Sequence, residues 1–322
     1  MRDFAGKIAV ITGGGTGMGR ELARQLAAEG CSVAMCDVSA SNMAATRALC
    51  EEDAPQGARI TTHLADVSLE DQVERFQREV ARDQDTDKIH LLFNNAGIGG
   101  GGSIVSGDRA EWEKTFNVCW GGVYLCTRAF MPMLTAASEA HIVNTSSVNG
   151  FWASIGPHIP HTAYSAAKFA VKGFTEALIT DLRMNAPHVK CSVVMPGHIG
   201  TEIVANSRKI LGGDESDTLN VEQLALARRR MTAFGVGADS LTDEQIQLAV
   251  ADQARRFRDD APTTAAQAAT IILDGVKNDD WRILVGDDAH KLDKLVRHAP
   301  EHAYEPDFFQ SFAAEAGWRI GT

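Results

Sequence analysis

The chain has 322 residues, and its 31 basic against 42 acidic side chains give a net charge of −11. That balance argues against nucleic acid or an anionic membrane as a partner, because both would be repelled. The 44% of apolar residues can supply a large core. The sequence contains no apolar run near the ~18 residues of a membrane helix. Arg2, Asp3 and Lys7 surround only a very short apolar stretch, which is not the pattern of a secretory signal. The six cysteines (31, 36, 50, 119, 126, 191) lack paired metal or redox spacing. They read as small buried hydrophobes in a reducing cytosol, so a cytoplasmic protein is expected.

Short β-branched runs alternate with longer helical patterns. In chain order the predicted strands are Ile8–Thr12, Ser32–Asp37, Arg59–Leu64, Ile89–Phe93, His141–Thr145, Val189–Val194 and Trp281–Val285. Helices are predicted at Gly19–Glu29, Leu69–Arg82, Arg109–Leu134 and Ala163–Met184. Most of the strands are apolar on both faces, as in a covered parallel sheet. The alternation predicts an α/β fold: a single doubly wound, Rossmann-like parallel sheet of about seven strands over residues 1–286. Residues 202–261 read as a polar, helical insertion expected to lid the substrate site. Residues 287–322 form a C-terminal tail carrying Phe308, Phe309, Phe312 and Trp318. Four aromatics left in water would make an apolar patch, so the tail is expected to pack down. A neighbouring subunit or the insertion is the expected partner, with the outer surface of its own domain as the alternative.

Thr12-Gly-Gly-Gly-Thr-Gly-Met-Gly19 joins the first strand to the first helix. A plain turn would also use glycines, but this position opens a βαβ unit. There, Gly13, Gly15, Thr16, Gly17, Met18 and Gly19 would let the backbone approach a pyrophosphate at a helix N-terminus. Asp37 ends the second strand, where an acid can accept hydrogen bonds from adenosine ribose hydroxyls. It would repel a 2′-phosphate, and Thr16, Val38 and Ser39 supply no cation to offset it. The cofactor expected is therefore NAD rather than NADP. A helix N-cap or solvated loop acid is the bland alternative for Asp37.

Tyr164 and Lys168 lie four apart at the start of a helical pattern and so share a face. A tyrosine with pKa ~10 is a poor base at neutral pH, but a nearby ammonium and a positive nicotinamide would favour phenolate. With the glycine loop, Asp66-Val67, Asn94-Asn-Ala-Gly97, Asn117, Ser147, Tyr164-x-x-x-Lys168, Pro196-Gly197 and Thr201, the chain resembles the short-chain dehydrogenase/reductase family over about residues 5–286. The resemblance implies that Tyr164 exchanges a proton with the substrate oxygen. Lys168 would bind the nicotinamide ribose and lower the tyrosine pKa. Ser147, with Ser146 as runner-up, would hydrogen-bond the substrate, and Asn117 would hold a water linking Lys168 to solvent. Asp66 and Val67 would border the adenine, and Asn94, Asn95, Ala96 and Gly97 would line the cofactor floor. Pro196, Gly197, Ile199 and Thr201 would meet the carboxamide end.

The segment from Ser147 to Tyr164 is longer than the family usually shows and would border the substrate. His158 and His161 within it lack an acidic or thiol partner, so no metal is expected. Arg228-Arg-Arg230 reads as a solvated helix face, and Trp112, Phe116 and Trp120 as core or subunit packing. The expected partners are a small-molecule alcohol or ketone and further copies of the chain, as a dimer or tetramer. Phe151, Trp152, Ile203, Val204, Met231 and Phe234 suggest a hydrophobic or alicyclic substrate. An NAD-using epimerase or dehydratase and a non-catalytic NAD-binding regulator are the rival readings.

Overall fold

The structure is a computed structural model that describes residues 1–156, 159–212, 218–233 and 237–318. Strands β1 (Ile8–Thr12), β2 (Ser32–Asp37), β3 (Ile60–Leu64), β4 (Leu91–Asn94), β5 (Ala140–Thr145) and β6 (Val189–Pro196) alternate with helices. The helices are α1 (Gly17–Ala28), α2 (Ala40–Asp53), α3 (Glu70–Asp83), α4 (Arg109–Phe116), α5 (Gly122–Thr135) and α6 (Thr162–Asn185). After β6 come β7 (Ile199–Gly200), α7 (Ile203–Gly212), α8 (Val221–Ala233), α9 (Asp243–Asp259), β8 (Thr263–Thr264) and α10 (Ala265–Lys277). β9 (Arg282–Val285), α11 (Asp287–His298) and α12 (Pro306–Ala316) close the chain.

Seven strands form one parallel sheet in the order β3-β2-β1-β4-β5-β6-β9. Both faces are covered, which is why the strands are apolar nearly throughout. On one face α1 buries Gly19, Leu22, Ala23, Leu26 and Ala27, the stripe expected of a helix docked along one side, and packs with α10. Phe76, Phe130, Leu178 and Leu182 of α3, α5 and α6 fill the other face. The order reverses between β1 and β4, so the crevice beyond the C-terminal strand ends opens there. All six cysteines are buried and unpaired. Among the described residues, no helix is long and apolar enough to cross a membrane.

Three departures from the sequence expectations carry consequences. The helix expected over 109–134 is broken by a π-helical turn at Asn117–Gly121, where Gly122 lets α5 close onto Val67. Such turns insert one extra residue and re-aim the side chains within them. Residues 202–261 start and finish at one place, because β7 pairs with β8 at their base.

The aromatics of the tail, finally, pack within their own chain, against the segment that follows Ser147. Its Phe308, Phe309, Phe312 and Trp318 surround Trp152, with ring centroids 5.8–6.3 Å away. Trp152 is 1% exposed and donates its indole N–H to the Ala303 carbonyl at 2.6 Å. Phe151 joins the same cluster. The two aromatics expected to wall the substrate pocket thus anchor the tail instead. Pro157, His158 and Phe234 lie outside the described residues.

His141 in β5 is 1% exposed and meets Ser192 Oγ at 2.7 Å. Burial pushes its pKa from the ordinary 6.5 down to about 4. Between those values the unfolded chain binds the extra proton, so stability present above pH ~6.5 is lost as pH falls towards 4. A melting series from pH 7 to 4 should show this fall. It should be flatter in His141→Gln, by an amount on the order of 3 kcal/mol if no other group compensates.

Candidate active site

The glycine loop leaves β1 and enters α1 with Gly13 at φ +67°, and a β-carbon there would lie 2.8 Å from the Ala96 backbone. Glycine at 13 therefore lets the loop sit against the strand end of β4. Thr12 Oγ1 accepts the backbone N–H groups of Asn95 and Ala96, each at 3.0 Å, and Asn95 Nδ2 donates to the Thr12 carbonyl at 3.2 Å. Asn94 faces the other way. Its amide donates to Thr127 at 2.9 Å and to Asn144 at 2.8 Å inside the core, so it is a packing residue rather than floor.

Asp37 closes over the loop. Its Oδ2 accepts the Gly15 N–H and its Oδ1 the Ser39 N–H, both at 3.0 Å. Arg20, not anticipated from the sequence, donates to the Gly15 carbonyl at 2.6 Å and to Thr46 at 3.0 Å. Its signal was present in the sequence: it lies one residue past the glycine pattern, in the first turn of α1. Asp66 accepts from Lys114 at 2.5 Å and from Ser68 at 2.6 and 2.9 Å. Burial opposes its ionisation, but these donors hold the carboxyl below its ordinary value.

At the end of β5, Thr145, Ser146 and Ser147 meet α6. Ser146 Oγ donates to the Lys168 carbonyl at 2.7 Å, which commits it to the helix backbone. Ser147 accepts the Asn149 N–H at 3.1 Å and reaches the Tyr164 phenol, whose pKa it lowers. The two adjacent serines, inseparable by chemistry, are thus separated by direction. Lys168 is 2% exposed, donates to the Thr145 carbonyl at 2.8 Å and lies 5.3 Å from the Tyr164 ring centroid. Burial lowers its pKa. The phenol is pushed well up by burial.

Asn117 does not join this group. It sits exposed at the start of the π-helical turn, whereas Cys119 is fully buried. The Cys119 thiol donates to the Ile98 carbonyl at 3.2 Å and lies near the Gly97 backbone. Helical spacing carried a signal: Asn117 follows exposed Glu113 by four residues, and Cys119 follows buried Thr115 by four.

After β6, Pro196 and Gly197 lead to Ile199, and Thr201 rests against Gly17. Helix α7 spans the crevice above: Asn206 donates to Thr16 at 3.0 Å, and Ser207 accepts the Gly99 N–H at 2.7 Å. His161 stacks on Tyr164 with centroids 4.6 Å apart, and burial holds it neutral with a pKa of about 4.

The short chain dehydrogenase profile matches residues 7–211. The chain belongs to the short-chain dehydrogenase/reductase family. It is 36% identical over 215 residues to the putative oxidoreductase SadH of Mycobacterium tuberculosis, covering 67% of this chain and 75% of that protein. Levodione reductase of Leifsonia aquatica is 35% identical over 209 residues, covering 65% of this chain and 75% of the relative. A short-chain dehydrogenase/reductase from Burkholderia phymatum, solved with NAD, superposes with a TM-score of 0.73 at 30% identity. That likeness covers 95% of this chain and 98% of the other, so it extends well beyond residue 211. Another similar solved structure holds NADP. The chain is thus an oxidoreductase of this family.

Asn117→Ala is expected to leave turnover and melting temperature essentially unchanged, as exposed positions away from a site do, within about 0.5 kcal/mol. Steady-state kinetics and a thermal melt check this, and a collapse of turnover would return Asn117 to the site.

Proposed function

We propose that the chain interconverts a secondary alcohol and its ketone with NAD(H). The observation that carries this reading is the convergence of Tyr164, Ser147 and Lys168 at the end of the sheet that also holds the glycine loop and Asp37. The residues fit a dinucleotide. Gly13 allows the backbone cradle, and the N-terminus of α1 points a partial positive charge at the pyrophosphate position. The loop residues Gly13, Gly15, Thr16, Gly17, Met18 and Gly19 would hold the phosphates. Asp66 and Val67 would border the adenine, and Gly97, Ile199 and Thr201 the nicotinamide end.

Asp37 favours NAD. Each of its carboxylate oxygens accepts one N–H and keeps a lone pair for a ribose hydroxyl. Arg20, a cation beside the loop, is engaged by Gly15 and Thr46 rather than directed at a 2′-phosphate.

When bound, the cofactor supplies a hydride acceptor or donor. The chain's own residues do the rest. Ser147 orients the substrate oxygen by a hydrogen bond, and Tyr164 takes its proton in oxidation or returns it in reduction. Lys168, fixed by the Thr145 carbonyl, has further N–H donors for the nicotinamide ribose. Cys119 and Gly97 shape the wall behind it. Holding both reactants face to face supplies most of the rate. Ile203, Val204 and Met231, partly buried on α7 and α8, support an apolar substrate, and a relative named for levodione reduction agrees with a ketone.

Tyr164→Phe keeps the ring and removes the proton carrier, so turnover should fall by about 10²–10⁴-fold while NAD still binds. The assay is NADH formation from a panel of secondary alcohols. Wild-type turnover without free NADH would favour an epimerase or dehydratase. Asp37→Ala should weaken NAD and improve NADP relative to it, by about 1–3 kcal/mol in a direct titration. A wild type that prefers NADP overturns the assignment of Asp37.

A further inference from the structure

One carboxylate joins the tail to the loop after β6. Asp288, in the first turn of α11, is 2% exposed. Its Oδ2 accepts the His198 backbone N–H at 2.7 Å and the Trp318 indole N–H at 2.6 Å. Its Oδ1 has no hydrogen-bond partner among the described residues. A β-carbon on Gly197 would fall 2.2 Å from Oδ2, so a residue without a side chain is what lets the loop close onto the carboxylate. The Gly197 N–H donates to the Val285 carbonyl at 3.0 Å. On the opposite side, the His198 ring lies tilted against Phe257 of α9, centroids 4.5 Å apart, and its Nε2–H donates to the Phe257 carbonyl at 2.7 Å. The loop is therefore held between the tail and the insertion, and the next residue, Ile199, pairs with Thr263. Two hydrogen bonds this short, converging on one buried oxygen, fix both of their donors. A loop so fixed cannot drift, and a displacement of ~1 Å at a reacting centre can cost ~10²-fold.

We infer that Asp288 is a positioning residue for the cofactor. It sets the depth of the Gly197–Thr201 loop, which receives the nicotinamide end, and Trp318 supplies the second donor that fixes the carboxylate itself. The tail is then part of the cofactor machinery, although it lies some 90 residues beyond the loop it holds. This inference rests on the proposed NAD reading.

The test titrates full-length wild type, Asp288→Ala, Asp288→Asn and Trp318→Phe with NAD and with AMP by calorimetry. AMP carries only the adenosine half, which Asp37 and the glycine loop would hold, so it reports damage unrelated to the loop after β6. Asp288→Ala should lose about tenfold in NAD affinity with AMP unchanged. Asp288→Asn, whose amide oxygen still accepts both N–H groups, should bind NAD near the wild-type level. Trp318→Phe should shift NAD in the same direction by a smaller factor. Equal losses for NAD and AMP, or no loss for either, would mean a purely structural carboxylate and overturn the inference. Should Asp288→Ala not fold, Trp318→Phe decides alone, since it keeps a ring in the cluster, and an unchanged NAD-to-AMP ratio overturns the proposal. A wild type that binds no NAD overturns the proposed function instead, a separate failure.

Discussion

A lysine ammonium almost wholly removed from water is the constraint around which this site is arranged. Burying a charge is costly unless donors and acceptors are supplied in place of water. Lys168 meets that demand with the Thr145 carbonyl, at the C-terminal end of β5 one residue past its last pair with β4. The same strand end directs Ser146 to the helix backbone and Ser147 to the phenol. The 24 residues of α6, packed on the sheet, keep these groups in register, so the polar cluster stands on rigid elements rather than on loops.

Close backbone approach is the second organising feature. Gly13 against Ala96 and Gly122 against Val67 remove side chains where two elements must touch. Each contact brings a strand end or helix nearer to the crevice between β1 and β4, where the topology reverses. The π-helical turn lies beside them, with Cys119 buried near Gly97 and Asn117 in solvent. A fully buried thiol there is an apolar neighbour with one weak donor, and it behaves as packing behind the lysine.

The tail changes the balance of the outer half of the sheet. β9 is the edge strand, and α11 and α12 bury a cluster of aromatics against the segment that follows Ser147. Stability from that cluster and the placement of two site loops are therefore the same interaction. A change in Trp152 reaches both, since its ring fills the cluster and its indole holds the Ala303 carbonyl.

Much of this protein was legible in its sequence, and the reason is local. Strand periodicity, the glycine loop opening a helix, and the four-residue spacing of Tyr164 and Lys168 are short-range patterns that fix conformation without knowledge of the rest of the chain. They determined the seven-stranded parallel sheet, the family and the place of the crevice. What only the tertiary structure decided involves groups distant in sequence or direction within a turn. Ser146 and Ser147 differ only in where they point. Asn117 and Cys119 lie two apart, one in solvent and the other beside Gly97. Trp152 and the tail aromatics meet across some 150 residues, and Asp288 meets His198 across 90. An apolar pattern says that a side chain is buried, but only the packed chain says against what, because burial is non-directional whereas a hydrogen bond is not.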